Sequence, residues 1–186
     1  MAESQYGYDT ATGNTVTAKA RVNVTVNVPK LILFRVGSDN TTIDTVTISA
    51  TPSIPAVPTT PVVGNNTNVS WSGAAPTFTG SASGNVLAVS AWTNSSGGGS
   101  VGCAVTTTFP AASGLAGSNI TVGSGAGLAH PGTDTSCPVA TTTTFAKNTA
   151  VSGTWTYGIN AAGLTALASA PAGSYTETVT YTATSL

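Results

Sequence analysis

Residues 16–28 constrain this chain more than any other stretch. They read V-T-A-K-A-R-V-N-V-T-V-N-V, with Val16, Ala18, Ala20, Val22, Val24, Val26 and Val28 alternating with Thr17, Lys19, Arg21, Asn23, Thr25 and Asn27. A period of two over this length predicts a β-strand with one buried face. A helix would scatter the valines around its circumference, and β-branched residues favour strands. Burying one valine side chain is worth about 1.5–3 kcal/mol, so the five valines and two alanines sum to a gross term on the order of 10 kcal/mol. That rivals the whole stability of a typical domain, about 5–15 kcal/mol. A strand this apolar is an aggregation hazard when exposed. It has to dock somewhere, in its own domain or in a neighbour's.

Composition narrows the class. The chain has 186 residues, enough for one all-β domain with a core. Charged residues make up 6% and the net charge is −1, which excludes an electrostatic nucleic-acid footprint and a polybasic membrane patch. At 40% apolar residues and without a charge run, the chain is not a disordered type. Solubility falls to Thr, Ser, Asn and the backbone, a composition read here as that of a secreted or surface polymer. The longest strong apolar run, Leu31-Ile32-Leu33-Phe34, is far short of a membrane span. The first residues do not look like a signal peptide and fit a mature exported chain with an added Met.

Turn chemistry divides the rest. Residues 1–15 read as a flexible leader, 16–28 as the N-terminal strand, and 29–186 as a β-sandwich domain. Pro29 ends the first strand, because proline cannot donate to a ladder. Strands are expected over 31–36, 43–50, 68–72, 86–93, 101–109, 120–122, 139–145, 154–159 and 174–184, separated by Gly- and Ser-rich turns. Residues 51–67, with four prolines, read as an extended crossing between sheets. The one plausible helix lies over 161–170.

Candidate chemistry is sparse. Cys103 and Cys137 fit no C-x-x-C motif, and the single histidine leaves a zinc site short of ligands. With an export-like composition, a structural disulfide is expected. His130, near Asp134 and Cys137, reads as a solvated loop histidine rather than part of a metal or nucleophilic site. Glu177 falls on the apolar face of the last strand and reads as a rim residue. The glycine clusters 97–99 and 123–127 lack the following helix and Lys of a phosphate cradle. Trp155 reads as core, as does a tryptophan in most strands. Trp71 and Trp92 precede Gly/Ser-rich tips and are a candidate sugar-binding platform. Sequons at Asn23, Asn65, Asn68, Asn94 and Asn119 are expected by chance in a chain rich in Asn and Thr. No catalytic constellation or cofactor motif stands out, so an enzyme is not expected.

The closing pattern Pro171-Ala172-Gly173-Ser174-Tyr175-Thr176-Glu177-Thr178-Val179-Thr180-Tyr181 and the opening pattern 16–28 together carry a resemblance. The chain resembles pilin subunits of the chaperone–usher type, of the archaic class that includes Csu-like pili and spore-coat-U-like domains. The first pattern looks like that family's closing strand and the second like its donor strand; they cover about a quarter of the chain. Many archaic subunits carry a cysteine just after the N-terminal strand, and 29–36 here has none. The resemblance implies an immunoglobulin-like β-sandwich that is incomplete and is completed by a donor strand. Val16, Ala18, Ala20, Val22, Val24, Val26 and Val28 would enter an identical subunit. It also implies a periodic homopolymer at the cell surface, exported through the periplasm by a chaperone and an outer-membrane usher, supporting adhesion or biofilm formation. The alternative is a monomeric, self-complemented adhesin or carbohydrate-binding module, with 16–28 folded into its own core.

Overall fold

The computed structural model describes residues 3–39, 41–53, 71, 73–138 and 141–186. Most of the proline-rich crossing expected over 51–67, nearly all of the strand expected over 68–72, and the sequons Asn65 and Asn68 lie outside the described residues. The described chain is all-β, with antiparallel ladders throughout.

One sheet has the order β1-β4-β8-β6, formed by β1 (Ile32–Val36), β4 (Val86–Thr93), β8 (Val151–Ile159) and β6 (Ile120–Ser124). A second has the order β7-β5-β9, formed by β7 (Thr142–Phe145), β5 (Gly99–Thr107) and β9 (Thr178–Ser185). A separate hairpin joins β2 (Thr47–Ser53) to β3 (Thr77–Ser83).

Alternation decides which side of each strand is buried. In β4, Val89, Ala91 and Thr93 point inward while Ala88, Ser90 and Trp92 take the other face. Val89, Ala91, Ile120, Val122, Trp155 and Tyr157 of the first sheet share one core with Val101 and Phe145 of the second. Two sheets closing on one core is an arrangement compatible with a sandwich. Leu128, in the long connection after β6, completes it. That connection passes so close to β8 that a Cβ on Gly127 would run into the Ser152 carbonyl, and its φ of +99° suits only glycine.

The expected helix is present as α1 (Ala161–Ser169). Asn160 caps it by accepting from the Gly163 N–H at 2.9 Å, and Pro171 stands just beyond its end. The third expected strand is displaced: pairing begins at Thr47, not at Ile43. Asp44 is instead engaged in the preceding turn, where it accepts from the Ser38 backbone N–H and hydroxyl. β3 has only one large apolar residue, Phe78, and no alternation marked it. It forms because its backbone pairs along the whole length of β2 and lies against α1.

The disulfide expected between Cys103 and Cys137 is formed, with a Cα–Cα distance of 5.3 Å. It ties the central strand of the three-stranded sheet to the connection that carries Leu128. Closing a loop of 34 residues constrains the unfolded chain by about 3–4 kcal/mol in the chain-entropy treatment. The double variant Cys103→Ser/Cys137→Ser should therefore lose about 3–4 kcal/mol of unfolding free energy, read as a lower urea midpoint. An unchanged midpoint would show that the bridge constrains nothing.

Candidate functional site

The segment 16–28 is where the structure departs from a simple strand expectation. It joins no ladder among the described residues. Val22, Val24, Val26 and Val28 are 77–81% exposed, so the face expected to be buried is open to solvent. The leader, expected to be flexible, folds back along the first half of the segment only. Asp9 organises that turn, accepting from the Ala11 N–H at 2.9 Å and from the Asn14 side-chain amide at 2.6 Å. These two bonds hold its carboxyl below the usual range. Gly7 lets the two arms touch, since a Cβ there would strike the Val16 side chain. Arg21 closes the far end on Glu3 at 2.9 Å.

Two strand edges are open in a complementary way. β1 is paired only to β4 and β9 only to β5 among the described residues, and the two free strands approach one another without a ladder between them. The inward residues of β1, Ile32, Phe34 and Val36, are only half-buried, as are Val179, Tyr181 and Ala183 of β9. Ile32, Phe34, Val36, Tyr181 and Ala183 pack against the core without being enclosed by it. Unpaired backbone on both sides of a partly uncovered apolar floor is the geometry that an added strand satisfies.

The junction between segment and domain is held firmly. Asn94, just past β4, accepts from the Leu31 N–H at 2.7 Å through its side-chain oxygen and donates its amide to the Pro29 carbonyl at 2.8 Å. Its own N–H donates to the Leu31 carbonyl at 3.3 Å, which the Thr93 hydroxyl also bonds at 2.8 Å. Sequence reasoning saw Asn94 only as a chance sequon.

Below the open edges lies a buried polar relay. His130, expected in solvent, is 5% exposed. Its Nδ1 lies 3.0 Å from the Gly132 carbonyl, which can only accept, so Nδ1 carries the proton and Nε2 accepts from the Tyr181 hydroxyl at 2.8 Å. Tyr157 in turn donates to Tyr181 at 3.0 Å. The relay links β8 to β9 across the two sheets. The imidazole stands edge-on to Trp155 at 4.8 Å, where water is excluded. Burial pushes its pKa down, against the opposing pull of the Gly132 carbonyl and the Asp134 charge. Burial likewise raises Tyr157 and Tyr181. Glu177 sits at the rim as expected, half-buried and bonded by the Thr135 hydroxyl at 2.6 Å. Burial raises its carboxyl, partly countered by that bond, with Asp134 adding to the rise.

Trp155 is fully buried as expected, whereas Trp71 is 62% exposed with its indole N–H donated to the Ala74 carbonyl. Trp92 lies on the outer face of β4, opposite Leu33 of β1. No ring contact joins Trp71 to Trp92 among the described residues, so the structure does not assemble them into one platform. Nor do three His, Cys, Asp or Glu side chains gather as a metal site among the described residues. No helix among them is long and apolar enough to cross a membrane. In comparisons with known proteins, no family model, no curated protein and no solved structure matches the chain.

The relay makes stability depend on pH. His130 resists protonation when folded, so its contribution is complete above the ordinary histidine range, about 6.5, and is lost as pH falls below it. Glu177 acts in the opposite sense, because its folded form takes up a proton at higher pH than the unfolded chain does. Urea midpoints should fall between about pH 7.5 and 5.5, flatten in His130→Gln, and fall more steeply in Glu177→Gln.

Proposed function

We propose that this chain is a structural subunit of an extracellular surface fibre, a pilus or fimbria, whose copies join by donor-strand exchange. In this reading the domain is an immunoglobulin-like sandwich lacking one strand, and residues 16–28 of one copy fill the groove between β1 and β9 of the next. One observation carries it. Four alternating valines stand exposed and unpaired in the same chain that leaves two neighbouring strand edges open over half-buried apolar residues.

The energetics favour exchange. Moving Val22, Val24, Val26 and Val28 from solvent into an apolar groove is worth about 1.5–3 kcal/mol each. An added strand also pairs the free backbone of an open edge, and each hydrogen bond adds about 0.5–1.5 kcal/mol net. Such a joint persists without any covalent bond between copies. The same reading places the fibre at the cell surface, where it supports adhesion or biofilm formation. It assigns export to a periplasmic chaperone and an outer-membrane usher, because an open groove and a free apolar strand need protection before assembly. The reading assigns no catalysis and no cofactor.

Val24→Asp puts a charge at the centre of the inserted face. It should abolish fibres seen by electron microscopy while leaving a soluble monomer that binds a synthetic peptide of residues 16–28. Unchanged fibres from Val24→Asp would overturn the strand assignment. Single compact particles from the unmodified protein, with no affinity for the peptide, would instead place 16–28 in its own domain, as in a self-complemented monomer.

A further inference from the structure

The reading above leaves unexplained why the valines of residues 16–28 are not equally open. Val22, Val24, Val26 and Val28 are 77–81% exposed, whereas Val16 is 47% exposed. The difference comes from the leader. Its arm lies so close to the segment that a Cβ on Gly7 would strike the Val16 side chain and stand 2.8 Å from the Thr17 carbonyl oxygen. Only a residue without a side chain permits that approach. A strand that joins a sheet edge must bring its own backbone groups free, and at Thr17 the leader already lies against them.

The two arms are matched in charge. The chain has only five basic and six acidic side chains, yet four of them fall in its first 21 residues: Glu3 and Asp9 on the leader, Lys19 and Arg21 on the segment. Arg21 meets Glu3 in a fork, Nε to Oε2 at 2.9 Å and Nη2 to Oε1 at 3.1 Å. Gln5 donates to the same carboxylate at 2.6 Å. The Asp9 turn closes one end of the arms and this ion pair closes the other. Among the described residues no hydrogen bond or ion pair of the leader reaches 22–28. The Arg21 side chain is 81% exposed, and an ion pair in that setting is weak and screened by salt. The closure is therefore one that can open.

We infer that residues 3–15 are an autoinhibitory clasp, which shields residues 16–21 in the free subunit and must release them before the whole strand enters another copy. The inference rests on donor-strand exchange and names the control on it. Residues 22–28 stay open and make the first contact with a groove. The Glu3–Arg21 pair and the Gly7 approach hold back the remainder, so clasp opening sets the rate at which copies join.

Two measurements on the full chain test this, with Glu3→Gln/Asp9→Ala as the variant. Both changes lie in the leader, outside the groove and outside residues 16–28. The first measurement is trypsin cleavage after Lys19 and Arg21 in dilute monomer cleared of fibres by centrifugation. The parent should be cut severalfold more slowly than the variant at low salt, and as fast as the variant in 1 M NaCl. Equal rates at low salt would show that no clasp closes and would overturn the inference. The second is the time course of fibre formation, followed by light scattering and electron microscopy. The variant should assemble severalfold faster than the parent at low salt, and Gly7→Val, which forces the arms apart, should do the same. Equal assembly rates beside a protected Arg21 would overturn the clasp as a brake and leave strand exchange standing. If neither parent nor variant forms fibres, the exchange reading falls and the clasp's role in it falls too.

Discussion

The packing of Trp155 is the interaction on which the rest of the structure depends. Its indole is fully buried, donates to the Leu128 carbonyl at 2.9 Å, and meets the rings of His130 and Tyr181, both with centroids 4.8 Å away. One side chain on β8 therefore fixes the long connection after β6 and positions β9 of the opposite sheet. Large aromatic residues suit such a role because they bury much area while losing few rotamers. The polar atoms that this packing encloses are satisfied in series, from Tyr157 to Tyr181 to His130 to Gly132. A half-satisfied network in that position would cost more than an apolar one.

With β9 held from the inside, its outer edge is free to serve another purpose. The strand ladder stops there, as it does at β1, and the half-buried residues between the two edges are neither core nor surface. Exposed edges are usually blunted by charge, proline or a covering element. Here Lys is scarce and the sheet edges keep their pairing capacity. The proposed exchange gives that exposed backbone and the unpaired valines a common explanation, since each supplies what the other lacks.

The sequence was informative where one physical rule acted alone. Alternation located β4 to the residue and the end of β9 to within one residue, although β9 begins at Thr178 and not at Ser174; flanking Pro171 limited α1, and two cysteines without metal-ligand partners marked the disulfide. It was misleading where tertiary context intervened. His130 sits in a Gly- and Pro-flanked loop, which reads as solvent-exposed, and only the approach of Trp155 and Tyr181 from distant strands buries it. β3 has almost no apolar signal because its pairing partner, not its own side chains, defines it. Period-two patterning announced a strand at 16–28, but patterning alone names no partner edge, and the segment joins no ladder among the described residues. Asn94 was illegible for a related reason: its three bonds reach back more than sixty residues, and the functional importance of a side-chain amide depends on that distant backbone.

The disulfide also has a mechanical meaning. A chain loaded in tension can lengthen only through segments whose ends are not covalently joined, and the bridge between Cys103 and Cys137 closes off 34 residues. At about 3.3–3.6 Å per extended residue, that is roughly 110–120 Å of contour that cannot be drawn out while the bridge is intact. A force that peels β1 from β4 and reaches Cys103 crosses the bridge to Cys137, so the connection carrying Leu128 and His130 is bypassed and not drawn out. The fold is thus partitioned into a part that can yield and recoil and a part that keeps its loop closed throughout.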